Sequence, residues 1–255
     1  KVFKRNKKEY SRLADHIGQY PSVIVTPNDI DLIKEGSEVR RKFMDGVISQ
    51  FNRTYLDKLL DYNRVVLQRN NLFRFFAENH AFDASALEAW NAQMIPLATY
   101  IHGERQKFVE AFIPGFNAMY ASISGGAEEV SLAYDSDLAS GSFEDTLQNA
   151  LSKDRQLRRS NVGIHKDELQ FLLGGHPLKK FGSQGQQKSF LIALKLAQFN
   201  FIENATGVKP ILLLDDIFDK IDDKRVAALM QLVSDHTFGQ IFITDTHALR
   251  IPQLF

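Results

Sequence analysis

Phe-Gly-Ser-Gln-Gly-Gln-Gln at residues 181–187 and Ile-Leu-Leu-Leu-Asp-Asp at residues 211–216 are the segments that most clearly indicate the fold of this chain. The first is a polar, glycine-containing turn in front of a segment whose apolar residues recur at helical spacing. The second opens with apolar residues that do not alternate with polar ones, which is typical of a central parallel strand buried on both faces. Its carboxylates follow at the edge of an open α/β sheet where ligands bind. The two stretches therefore predict an α/β sheet with a polar site at its carboxyl end.

The residue types in these stretches suit a nucleoside triphosphate with Mg²⁺. Mg²⁺ prefers hard oxygen ligands and keeps several waters, so Asp215 can hold the ion or one of its waters. Asp216 can orient or deprotonate an attacking water. Ser183 can cap the following helix, whose free N–H groups and dipole favour phosphate, and Gly185 allows a ligand to approach the backbone closely. Each stretch alone also fits an ordinary alternative, namely an Asp-rich turn and a capped helix that binds nothing.

The composition limits the classes of function. With 255 residues and 44% hydrophobic content, the chain can bury a large core in one domain or two lobes. Basic and acidic residues balance at 31 each, so any contact with DNA depends on local patches. The absence of cysteine excludes disulfides and thiolate chemistry. No apolar run approaches the roughly 18–20 residues of a membrane span, and we expect a cytoplasmic protein without a membrane partner.

Helical periodicity dominates the first half of the chain. Apolar residues recur every three to five positions over residues 37–79, with Thr54 as the candidate N-cap of a second helix. Another helical stretch begins after a turn at residues 80–84, and we expect Pro96 to kink it and Pro114 to interrupt it. The two long stretches predict an antiparallel helical hairpin.

Short apolar segments predict the strands. We expect strands at 22–26, 129–134, 162–165, 169–173, 208–214 and 240–244, and helices at 143–159 and 223–236. The alternation of strands and helices after residue 160 predicts a parallel sheet covered by helices, within a two-lobed α/β architecture.

The chain resembles the ABC-type ATPase heads and, among them, the RecF family of bacterial recombination-mediator ATPases. The matching blocks lie in the family's order and span essentially the whole chain: 27–32, 40–45, 163–167, 182–188, 215–216, 221–222 and 239–244. ABC transporters typically carry Leu-Ser-Gly-Gly-Gln and Asp-Glu where this chain and the RecF family have Gly-Ser-Gln-Gly-Gln and Asp-Asp. The resemblance implies an SMC-like ATPase head, with a P-loop NTPase sheet and a long helical-hairpin lobe.

The implied head is incomplete in this sequence. No Gly-x-x-x-x-Gly-Lys-Ser/Thr phosphate loop (the Walker A motif) occurs in it, whereas the RecF family places that loop upstream of every matched block. We therefore expect the N-terminal part of the ATP-binding lobe to be missing, and the chain alone not to hydrolyse ATP. Turnover by the chain alone that Asp216→Ala abolishes would overturn this. The implied parts are the rest of that lobe (1–30), the helical lobe (31–160), and the signature, Walker B, D-loop and switch part (161–255).

The resemblance also implies roles for single residues. The signature turn, which would contact ATP bound by the other subunit of a dimer, comprises Ser183, Gln184, Gly185 and Gln186. Asp215 matches the Walker B carboxylate for Mg²⁺, Asp216 the catalytic carboxylate and Asp222 the D-loop aspartate. The switch position falls within 244–247, where Asp245 and His247 are the main candidates and Thr246 is a third. The Q-loop position at 26–28 lacks a glutamine.

The implied function is DNA repair and replication. A homodimer would close around ATP, bind single-stranded or gapped DNA, and help RecO and RecR to load the recombinase, with a role in the SOS response. Candidate DNA contacts are Arg40, Arg41, Lys42 and Arg53, for which a solvated helix face is the alternative. A second hypothesis is an ATP-switched scaffold for repair partners with little turnover. For His165 we favour a loop-structuring or interface role over metal binding, because no second His or Cys lies at ligand spacing.

Overall fold

A computed structural model describes residues 2–217, 221–234 and 238–245 of the chain. Its α-helices are α1 (Asp31–Lys34), α2 (Ser37–Ile48), α3 (Arg53–Glu78), α4 (Ala84–Ser124), α5 (Phe143–Leu157), α6 (Leu178–Phe181), α7 (Gln184–Thr206) and α8 (Asp223–Ser234). Its strands are β1 (Lys4–Arg5), β2 (Lys8–Glu9), β3 (Ser22–Val25), β4 (Val130–Asp135), β5 (Glu168–Leu173), β6 (His176–Pro177), β7 (Ile211–Asp215) and β8 (Ile241–Thr244). None of the helices in these ranges combines the length and apolar content that a membrane crossing needs.

A parallel sheet forms around the strand that precedes the two carboxylates. Its order is β3-β7-β8, with both pairs parallel. Leu212 and Leu214 lie on one face of the central strand and are buried, whereas Leu213 on the opposite face is half-buried. The three predicted strands are confirmed, although β7 begins at Ile211 rather than at residue 208.

A second, antiparallel sheet has the order β4-β5-β6. The prediction that every strand after residue 160 joins a parallel sheet is therefore wrong for β5. The β4–β5 pairing also crosses the predicted domain boundary between residues 160 and 161. The predicted strand at 162–165 is wrong as well, because those residues form turns in which Gly163 has a φ of +120°.

The long helices are confirmed, with two corrections. The N-cap of α3 is Asn52 rather than Thr54, because the Asn52 side chain accepts from the backbone N–H of Tyr55 at 2.9 Å. The helix α4 continues from Ala84 to Ser124, so Pro114 does not interrupt it. Its buried face runs without a gap past both prolines, and packing of that face offsets the lost backbone hydrogen bonds.

One hydrophobic core joins the helices and both larger sheets. The helix α7 passes through its centre, with Phe190, Leu194 and Phe199 fully buried. Phe190 packs against Phe116 of α4 and Phe171 of β5, with ring centroids 4.7 and 5.0 Å apart. This packing fixes the start of α7, and hence the signature turn, relative to α4 and the antiparallel sheet.

Candidate functional site

The two carboxylates lie where β7 ends. Asp215 is the last residue of the strand and is exposed, and its register partner on β8 is Thr244. The Thr244 hydroxyl donates to Asp215 Oδ1 at 2.5 Å, and the Asp216 N–H donates to the Thr244 carbonyl at 3.1 Å. Asp216 has a φ of +48°, a left-handed conformation that Asp tolerates better than most residues. The chain therefore turns out of the sheet directly after Asp215.

The oxygen atoms at this edge suit Mg²⁺. An exposed carboxylate oriented by a hydroxyl matches the hard oxygen ligands that the ion prefers. In the described part of the chain, no group of three or more His, Cys, Asp or Glu side chains is placed to hold a metal. That count still fits Mg²⁺, which is commonly held by one or two carboxylates together with substrate phosphates.

The signature turn forms the N-terminal cap of α7. Ser183 Oγ accepts from the Gln186 N–H at 3.2 Å, and Gln186 Oε1 accepts from the Ser183 N–H at 2.8 Å, which is a reciprocal capping box. Ser183 and Gln184 are exposed, whereas the helix behind them is buried. A Cβ at Gly182 would lie 2.9 Å from the Leu178 backbone oxygen, which cannot move aside as a side chain can, so the turn needs glycine there for space. The cap thus presents a helix N-terminus at the surface.

A pocket of about 390 Å³ connects the Q-loop position to the start of α7. Its lining includes Thr26, Pro27, Gln184, Lys188 and Ile217. The Lys188 ammonium donates to the Asp216 carbonyl at 3.4 Å, so the pocket borders the turn after β7. The nearby Asp29 carboxylate pairs with Lys195 of α7 at 2.7 Å and fixes the segment after β3 against that helix.

The D-loop aspartate is tied to the signature turn by two residues that the sequence reasoning missed. Arg225 Nε lies 3.0 Å from Asp222 Oδ2, and Arg225 Nη2 donates to Glu128 Oε1 at 2.8 Å. The same Glu128 oxygen accepts from Gln186 Nε2 at 2.9 Å. Arg225 follows Asp222 by one helical turn, and that spacing is the only sequence signal that points to it. Glu128 lies in a loop and gives no such signal.

The switch candidates fall on either side of the described boundary. Asp245 directly follows β8, so it leaves the sheet at the same edge as Asp215. Thr246 and His247 lie outside the described residues.

The four candidate DNA-binding side chains differ in how accessible their charged groups are to DNA. Arg40 forms a bidentate ion pair with Glu168 at 2.7 and 2.8 Å and donates to two backbone carbonyls. Its guanidinium therefore makes hydrogen bonds within the chain and is less available to DNA. Arg41 donates to the Asp167 carbonyl at 2.7 Å, and burial lowers its pKa. Arg53 pairs with two aspartates. The Lys42 side chain is 73% exposed and pairs with Glu38 across one helical turn, so it is the most accessible of the four.

The contacts of His165 support the loop-structuring interpretation. The Tyr62 hydroxyl lies 2.8 Å from His165 Nδ1, and the Ser160 carbonyl lies 3.2 Å from Nε2. Burial lowers the pKa of His165 to about 4, which keeps the ring neutral. The two ring nitrogens therefore attach the loop that precedes β5 to Tyr62 of α3 and to the Ser160 carbonyl.

Comparisons with known proteins agree with this geometry. No protein-family model matches the chain. The DNA replication and repair protein RecF of Flavobacterium johnsoniae is 54% identical over 250 residues, which are 98% of this chain and 70% of that protein. RecF of Parabacteroides distasonis is 49% identical over 254 residues, which are 100% of this chain and 68% of that protein.

Solved structures of RecF and of an Smc head resemble this chain in fold. The recombination mediator protein RecF with ATP, in the RecFOR pathway, superimposes with a TM-score of 0.85 at 26% identity, covering 97% of this chain and 68% of that one. The Smc head bound to the winged-helix domain of ScpA gives a TM-score of 0.50 at 12% identity, covering 98% of this chain and 57% of that one. At that identity the Smc match bears on the fold alone, which is that of an SMC-like ATPase head.

Proposed function

Because the chain belongs to the RecF family of DNA replication and repair proteins, we propose that it acts in the cytoplasm as an ATP-dependent recombination mediator. In this proposal two copies bind head to tail around ATP and Mg²⁺ and hold single-stranded or gapped DNA. They then help RecO and RecR to load the recombinase. The names of the relatives support a role in DNA replication and repair, and a neighbour solved with ATP supports the nucleotide.

The observation that carries the proposal is the exposed cap of α7. Ser183 and Gln184 offer a helix N-terminus to a phosphate that arrives from outside the chain. Asp215 and Asp216 lie at the carboxyl end of β7 and suit a nucleotide held by the same subunit. In this proposal each subunit gives its carboxylates to one ATP and its signature turn to the other.

The test is the solution mass of the full-length protein, phosphate loop included, with and without ATP·Mg²⁺. We expect a monomer that becomes a dimer with ATP, and a Ser183→Arg variant that stays monomeric because the larger side chain fills the phosphate position. Ser142→Arg is the matched control, since Ser142 also caps an exposed helix start, at α5. DNA affinity, measured at several salt concentrations on the same samples, should rise with ATP only where the dimer forms. A mass that ignores ATP, or equal behaviour of the two arginine variants, would contradict the proposal.

A second candidate is a scaffold for repair partners that ATP switches without appreciable turnover. It is favoured by Asp216, whose carboxylate is one methylene shorter than the glutamate typical of ABC transporters. A large difference in DNA affinity between the ATP and ADP states, with turnover near zero, would select this candidate. Steady turnover that depends on Asp216 would select the first.

A further inference from the structure

One carboxylate joins three segments that are far apart in sequence. Glu128 lies in the loop between α4 and β4, and its Oε1 accepts from Gln186 Nε2 at 2.9 Å and from Arg225 Nη2 at 2.8 Å. Its Oε2 accepts from the hydroxyl of Tyr120, a buried residue near the end of α4. Donors from α4, α7 and α8 thus converge on one side chain.

The contact to Gln186 reaches the signature turn itself. Gln186 Oε1 already accepts from the Ser183 N–H at 2.8 Å, and Gln186 Nε2 donates to Glu128. The amide is therefore held at both ends, with its oxygen on the cap and its nitrogen on Glu128. The orientation of the cap depends on a residue outside the motif.

The contacts of Arg225 reach the D-loop aspartate. Arg225 Nε lies 3.0 Å from Asp222 Oδ2, and the backbone N–H of Arg225 donates to Asp222 Oδ1 at 3.1 Å. Arg225 Nη1 donates to Ser189 Oγ of α7 at 3.0 Å, where Ser189 is fully buried. Arg225 therefore fixes Asp222 against the same helix that carries the signature turn.

The surroundings of Glu128 and Arg225 keep both side chains ionised. Burial raises the pKa of the Glu128 carboxyl, but the hydrogen bonds from Tyr120, Gln186 and Arg225 outweigh it and leave that pKa below its ordinary value. The Arg225 and Glu128 side chains are 16% and 19% exposed, so solvent screens this pair less than an ordinary surface ion pair.

We propose that Glu128 and Arg225 are positioning residues that hold the signature turn and the D-loop aspartate in one fixed arrangement and tie both to the end of α4. The proposal rests on the proposed function, in which these two motifs face the second subunit. Because Tyr120 is buried in the core beside Phe116 and Phe190, a displacement of α4 reaches both motifs through one carboxylate. The helical hairpin and the ATP-dependent interface are thereby connected.

The direct test is amide hydrogen exchange in the nucleotide-free protein. Glu128→Gln keeps the side-chain size, and its amide oxygen can still accept from Gln186 and Arg225, but it removes the negative charge that pairs with Arg225. We expect the amides of Gln186 and Arg225, one in each motif, to exchange roughly tenfold faster, because local opening there costs less free energy. The matched control is Glu168→Gln, which breaks the similarly buried pair with Arg40 and should leave both amides unchanged. Unchanged exchange in Glu128→Gln, or equal acceleration in the control, would overturn the proposal.

A second readout separates positioning from mere stability. In the full-length protein, phosphate loop included, Glu128→Gln should raise the dissociation constant of the ATP-bound dimer by about tenfold, the scale of one lost charged hydrogen bond. Glu168→Gln should lower the melting temperature without changing that constant. Equal constants for the wild type and Glu128→Gln would contradict the proposal. If the wild type does not dimerise with ATP, the proposed function fails, and the exchange experiment alone decides the role of Glu128.

Discussion

A hydrogen bond from a neighbouring strand orients the candidate metal carboxylate. Asp215 is the last residue of β7, and the hydroxyl of Thr244, its register partner on β8, donates to the Asp215 carboxylate. A carboxylate held in this way needs little reordering when an ion arrives, because one of its oxygens is already oriented.

The first prediction concerns this hydroxyl. Thr244→Val keeps the branched shape but removes the donor, so Asp215 is less well oriented toward Mg²⁺. We expect the Mg²⁺ concentration for half-maximal ATP-dependent dimerisation to rise by about tenfold to a hundredfold, as for other residues that orient a metal ligand. Thr99→Val, which removes a hydroxyl bonded only to a carbonyl on the surface of α4, is the control. An unchanged Mg²⁺ requirement in Thr244→Val would show that the hydroxyl does not act on the ion.

The second prediction uses the pH dependence of His165. Its pKa is about 4 in the folded chain against an ordinary 6.5, so the unfolded chain binds one more proton between these values. Stability is therefore fully present above pH 6.5 and is lost as the pH falls toward 4. Between pH 7 and pH 5 the loss from this residue should be about 2 kcal/mol. In urea unfolding at the two pH values, His165→Gln should show a smaller loss than the wild type, and an equal loss would contradict the assignment.

Residues that belong to a motif could be predicted from the sequence, whereas residues that position a motif or cap a helix through hydrogen bonds were harder to predict. The signature turn and the two carboxylates could be proposed because spacing and residue type match their chemistry. Asn52 displaced Thr54 as the N-cap because its own amide oxygen reaches the Tyr55 N–H, and a cap two positions away looks equally good in sequence. Glu128 lies 58 residues from its partner Gln186, a distance that no local pattern reveals.

At the scale of helices and strands, periodic segments were predictable and tertiary pairings were not. The helix α4 contains Pro96 and Pro114, yet it continues because a buried face running from Leu87 to Ile123 packs against the core. Local propensity argues for a break there, and packing outweighs it. Likewise β5 was expected in the parallel sheet because strands and helices alternate after residue 160, yet it pairs antiparallel with β4. The alternating polar and apolar residues at the start of β5 are typical of an antiparallel strand.

The third prediction concerns an ion pair between two helices. Arg69 of α3 donates to Asp154 of α5 at 2.7 Å, and both side chains are fully buried. Asp154→Asn leaves the Arg69 charge buried without its counter-ion, so we expect the free energy of unfolding to fall by about 3–5 kcal/mol. Chemical denaturation measures this. The control is Asp61→Asn, which breaks an exposed pair with Arg64 and should have little effect. Similar losses in the two variants would rule out a structural role for the buried pair.

At the scale of the whole molecule, the fold class follows from the sequence and the assembly does not. The parallel sheet β3-β7-β8, the helical hairpin and the RecF membership all agree with what the motifs imply. The sequence contains two carboxylates at the end of one strand and a signature turn at the start of a helix. We propose that two subunits share each ATP, with the carboxylates from one subunit and the turn from the other.

The most direct test of that claim mixes two inactive full-length variants. Ser183→Arg disrupts the proposed signature turn, and Asp216→Asn removes the proposed catalytic carboxylate while keeping a residue that tolerates the left-handed backbone. A mixed dimer has one site with intact carboxylates from one subunit and an intact turn from the other. We predict no ATP turnover from either variant alone and recovery in the equal mixture. Random pairing in a symmetric dimer would give about a quarter of the wild-type rate, and we expect less than that because Ser183→Arg obstructs the second site of the mixed dimer. A mixture that stays inactive while its mass shows mixed dimers would contradict the shared site.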